Sequence, residues 1–68
     1  MHFYMIRKIG TEKYYHSFPD YWSYLEQGLT WWHDQGLKDA YKTFERLRKL
    51  GIQCAIVKFK VEEMKHVG

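Results

Sequence analysis

Apolar and polar residues alternate at both ends of this chain and recur at helical spacing between them. From Phe3 to Ile9, Phe3, Met5 and Ile9 share one parity, while Tyr4, Ile6 and Lys8 share the other. That alternation predicts a strand. Gly10-Thr11-Glu12 supplies a turn, and Lys13 to Ser17 reads as a short second strand closing a hairpin. Ser17-Phe18-Pro19-Asp20 looks like a helix start: Ser caps, Pro suits the first turn, and Asp suits the positive end of the dipole. Phe18, Tyr21, Trp22, Leu25 and Leu29 then recur as a helical stripe, with Gly28 ending the helix and a bend over 30–36.

A second helix is expected to begin near Asp34 or Gly36. Its apolar face is Leu37, Ala40, Tyr41, Phe44, Leu47 and Leu50. Arg46, Arg48 and Lys49 suit its C-terminal end, and Gly51 suits the position just beyond it. Ile52 to Glu62 reads as a third strand, with Ala55, Val57, Phe59 and Val61 alternating with Ile56, Lys58, Lys60 and Glu62. Residues 64–68 are expected to fray.

The predicted architecture is therefore a single α+β domain over 1–68. A three-stranded ββαβ sheet carries a helical part, split in two, on one face. The first strand is the expected centre and the second an edge. Phe44 and Trp22 are expected in one cluster with Phe59.

Composition sharpens this picture. A chain of 68 residues buries little surface, but an aromatic fraction of 19% lets a short chain build a usable core. Cys54 is the single cysteine, which excludes a disulfide within the chain and favours a reducing compartment. No run approaches the ~20 apolar residues of a membrane span, and MHFYMIRKIG lacks the form of a secretory signal. The expected location is the cytoplasm. The net charge of +3 permits contact with nucleic acid or an acidic protein without demanding either.

Candidate chemistry is sparse. His33 and Asp34, with Glu26 and Asp20 nearby in sequence, do not form a metal-ligand spacing, and Asp34 reads better as a helix cap. His2, His16 and His66 are scattered. Cys54 reads as a small buried hydrophobe rather than a nucleophile, and KIGTEK is no phosphate loop. No enzyme, metal or cofactor is expected. Lys38, Lys42, Arg46 and Lys49 line the second helix, but Asp39 and Glu45 interrupt them, as on a solvated face.

Two surfaces remain. Parity places Tyr4, Ile6 and Lys8 with Ile56, Lys58 and Lys60 on the expected open sheet face. Aromatic and basic residues there suit single-stranded nucleic acid, although a solvated face blunted by lysine has the same composition. Tyr24 and Trp31 stand seven apart, off the main stripe, and on a continued helix they share a second face suited to a partner. Trp22 and Trp32 are expected to pack in the core.

The order FYMIRKIG, KYYH, TWWHDQGLKDAYKTF, CAIVKFKVEE resembles small ββαβ proteins encoded by tailed phages and prophages, through Trp31 or Trp32, Ala40, Phe44 and the closing strand. The resemblance implies a non-enzymatic protein that binds a host protein complex, as anti-CRISPR proteins do, in the cytoplasm of a bacterial host. The alternative is a nucleic-acid-binding accessory protein. A monomer or weak homodimer is expected.

Overall fold

The computed structural model describes residues 1–61; the expected end of the last strand at Glu62, the fraying of 64–68 and His66 lie outside them. The elements are β1 (His2–Lys8), β2 (Tyr14–Ser17), β3 (Tyr21–Ser23), a 3₁₀ turn (Leu25–Gln27), β4 (Trp31–Trp32), α1 (His33–Lys49) and β5 (Cys54–Lys60). Among the described residues, then, the fold is α+β as expected. However, the sheet has five strands rather than three, and one α-helix stands where two were predicted.

β1 is the centre, as expected. Antiparallel β5 covers one edge along its whole length, from His2–Lys60 to Lys8–Cys54. The other edge is shared. β2 takes the C-terminal end through Arg7–Tyr14, and β4 takes the N-terminal end through Phe3–Trp32 and Tyr4–Trp31. β3 extends the sheet beyond β2, so β2 is not the edge. Tyr4, Met5 and Ile6 are buried in succession, the mark of a strand covered on both faces.

The predicted helix over 18–29 does not form. Trp22 is held instead as a strand residue, paired with Tyr15 and edge-on to its ring at 5.9 Å. The Leu29 N–H donates to the Tyr15 carbonyl at 2.8 Å, tying the end of the segment to the sheet. The helical stripe has nothing to pack on: Phe18, Tyr21, Leu25 and Leu29 are all exposed. Aromatic residues suit a pleated surface, and cross-strand pairing outweighed the 3.6-residue periodicity.

α1 forms where its periodicity predicts, but Tyr41 and Leu50, expected on its apolar face, are exposed. Ala40 and Leu47 are fully buried, and Phe44 packs against the core. Its end is a Schellman motif: Ile52 N–H donates to the Leu47 carbonyl and Gly51 N–H to the Arg48 carbonyl, with Gly51 at φ +84°.

The helix lies on the face expected to be open. Ile6, Tyr15, Leu47 and Cys54 form the core cluster, with Trp22, Trp31, Phe44, Ile52 and Ile56 packed around it. The parity read from sequence holds, but the two faces exchange roles. Phe59 therefore lies on the opposite side of the sheet from Phe44 and Trp22. The lysines misled because Lys8 and Lys60 stand at the ends of their strands and Lys58 stays exposed near one. There Lys8 lays its ammonium over the Trp22 ring, 5.7 Å from its centroid, without leaving the covered face.

Candidate interaction surfaces

The side of the sheet away from α1 carries Phe3, Met5 and Arg7 from β1, Trp32 from β4, Tyr14 from β2, and Val57 and Phe59 from β5. Their pairing makes an aromatic cluster. Phe3 stacks on Phe59 with centroids 5.2 Å apart and planes at 13°, and it meets Trp32 at 4.9 Å. Tyr14 reaches Phe59 at 6.1 Å. The Trp32 indole N–H donates to Thr30 Oγ1 at 3.1 Å, which holds the ring in place while 43% of the residue stays exposed.

The 3₁₀ turn covers only the middle of this face. Gly28 lies so close to Met5 Cε and Tyr14 Cβ that no Cβ fits between them. Beside it opens a cleft of about 490 Å³ lined by Arg7, Glu12, Tyr14, Tyr24, Leu25 and Glu26. Tyr14 belongs to both the cluster and the cleft, so the two form one surface.

On the covered face, polar groups tie elements together. Tyr4 is buried, and its hydroxyl donates to Asp34 Oδ1 at 3.3 Å; His2 Nε2 lies 3.0 Å from the same oxygen. Burial, then the hydrogen bond to Asp34, pushes the Tyr4 phenol above its ordinary value. The hydrogen bonds from His2 and Tyr4 hold the Asp34 carboxyl below its own. Asp34 is thus a clasp between strand and helix; Trp32, not Asp34, stands at the N-cap, with no side-chain cap there. His33, beside it, adopts the left-handed region at φ +62°.

Arg46 is also structural. Its guanidinium donates to the Tyr15 hydroxyl and the Pro19 carbonyl, both at 2.8 Å, and lies over Phe18 at 4.7 Å. That removes it from the basic stripe of the helix. Cys54 is buried, and burial pushes its thiol up, away from the thiolate a nucleophile needs.

The sequence-derived site residues therefore scatter. Tyr24 is exposed, as expected, on the cleft. Trp31 is not its companion: it points inward and stacks on Tyr15 at 6.2 Å and 17°. Trp32 takes the outer position, reversing the expectation that it packs in the core. Tyr4 is buried under α1 rather than on an open face, and Lys8 is occupied by Trp22. Lys58 and Lys60 are exposed on β5. Sequence reading missed Phe3, Tyr14, Trp32 and Phe59 as a surface, although the shared parity of Phe3, Val57 and Phe59 was the available signal. No helix among the described residues is long and apolar enough to cross a membrane. No family model, curated protein or solved structure matches the chain.

Proposed function

We propose that the chain is a non-enzymatic binding module that engages a protein partner through the sheet face away from α1. On its resemblance to small phage proteins, we propose further that this partner belongs to a bacterial host complex. The observation that carries the reading is the Phe3–Trp32–Phe59–Tyr14 cluster, continuous with the cleft at Tyr24 and left uncovered by the helix. Aromatic side chains fixed by neighbours are low-entropy anchors, and Trp and Tyr dominate binding hot spots. The test is capture from bacterial lysate with wild type and Trp32→Ala. A stoichiometric protein retained by wild type and lost with Trp32→Ala, at roughly 2 kcal/mol or more of binding, supports the reading. Equal retention by both variants removes it.

One observation favours a second reading. Phe3 and Phe59 stack on adjacent central strands, an arrangement on which bases of single-stranded nucleic acid also stack. The exposed Arg7 shares this face and can meet a phosphate, whereas Lys58 and Lys60 project from the opposite one. Nucleic acid recovered in the same capture, with an affinity that falls linearly in log salt, would replace the protein partner.

A further inference from the structure

β5 has a free edge. It pairs with β1 along all its residues, and among the described residues no strand pairs with its other side. The direction of its backbone groups follows from the pairs just beyond its ends. Ile9 N–H donates to the Gln53 carbonyl and Val61 N–H to the Met1 carbonyl, both at 3.0 Å. Hydrogen-bonded pairs alternate along an antiparallel ladder, so Ala55, Val57 and Phe59 direct their N–H and C=O groups to β1. Cys54, Ile56, Lys58 and Lys60 direct theirs away from it.

The side chains along that edge are sorted by face. Lys58 and Lys60 are exposed and share one side; Val57 and Phe59 are half-buried on the other. A strand added at this edge meets lysines on one face and apolar residues on the next. Directly opposed side chains interact, and like charges there repel. A second copy brings no acid to the seam, since β5 reads CAIVKFK.

We infer that the free edge of β5 accepts an extended segment of a partner protein in which acidic and apolar residues alternate. Carboxylates lie opposite Lys58 and Lys60, apolar side chains lie opposite Val57 and Phe59, and the backbone pairs with Ile56, Lys58 and Lys60. Main-chain pairing supplies affinity and the alternation supplies specificity. The inference rests on the reading of the chain as a protein-binding module, but it concerns a separate surface.

The probe is the capped peptide Thr-Glu-Val-Glu-Val-Glu-Thr, titrated into ¹⁵N-labelled protein. Amides of Ile56, Lys58 and Lys60 are expected to shift and to exchange more slowly, while those of Val57 and Phe59, already bonded to β1, change less. Lys58→Glu with Lys60→Glu weakens binding by about tenfold and transfers preference to the Thr-Lys-Val-Lys-Val-Lys-Thr peptide. Lys58→Gln with Lys60→Gln, which adds no repulsion, gives an intermediate loss. Equal response to the acidic, basic and scrambled peptides overturns the inference. So does undiminished binding of both of two acidic peptides, one N-methylated at all its glutamates and one at all its valines, since one of these sets must face the edge. Protection of the same amides that grows with protein concentration alone makes a second copy the occupant and overturns it too. Trp32→Ala separates the two surfaces: the peptide response survives if the edge is the site and disappears if the aromatic face is.

Discussion

Leu47 is fully buried where the helix meets Ile6 and Cys54, so its truncation leaves a cavity that rigid strands cannot fill. Leu47→Ala is expected to cost about 2 to 5 kcal/mol. Against a total stability of ~5 kcal/mol for so small a domain, urea melts should show a largely unfolded variant. The Asp34 clasp makes a different claim, on pH. Its carboxyl titrates below its ordinary value of 3.8 because His2 and Tyr4 hydrogen-bond to it, with Lys58 adding a smaller attraction. Its stabilisation is therefore complete above that value and is lost as pH falls through the lower, folded value. Tyr4 runs the other way. Its phenol titrates above its ordinary value of 10.0, so its contribution is complete below 10.0 and lost as pH rises through the folded value. Stability measured from pH 2 to 6 should show an acid-side loss in wild type that is smaller in Asp34→Asn. Tyr4→Phe should show a smaller alkaline loss above pH 10 than wild type. Identical acid limbs for wild type and Asp34→Asn would mean the clasp is open in solution.

Elements differ in how far their own sequence determines them. α1 was legible because its apolar residues keep one period from Leu37 to Leu47 and its end carries Gly51 in a conformation few other residues adopt. β1 and β5 were legible through alternation. The segment from Phe18 to Trp32 was not, because its conformation is set by what it touches: Tyr15 fixes Trp22, and β1 fixes both Trp31 and Trp32. The same dependence hid the surface. Parity told which residues share a face, but not which face α1 would cover, since apolar residues occupy both sides of β1. Gly28 is where this segment is pinned. A Cβ there collides with Met5 Cε and Tyr14 Cβ, so Gly28→Ala must lift the 3₁₀ turn or displace both Met5 and Tyr14. A loss of about 1 to 3 kcal/mol is expected, with increased solvent exposure of Tyr14. A variant as stable as wild type, with unshifted Met5 methyl resonances, would show that the turn does not rest on the sheet.

At the scale of the whole molecule, α1 on one face and aromatic residues on the other leave a thin two-layer body whose outer layer is partly finished. The 3₁₀ turn shields Met5 and stops, so Trp32, Tyr24 and Leu25 stay exposed. If that surface is for a foreign partner, the chain should sediment as a monomer as concentration rises. A self-association removed by Trp32→Ala would assign the face to a second copy instead. The pairing of β1 also bears on how the protein comes into being. Among the described strands, β1 precedes the others and all but one of them pair with it, and its longest partner, β5, follows them all. Contacts so distant along the chain are slow to close. At ~5–20 residues per second, β1 waits roughly 3 to 12 s on the ribosome before Lys60 exists to meet His2. For that interval its Tyr4-Met5-Ile6 run has no complete set of neighbours. Nascent chains stalled before Cys54 should remain protease-sensitive and bind chaperones, and release should come abruptly once β5 has emerged.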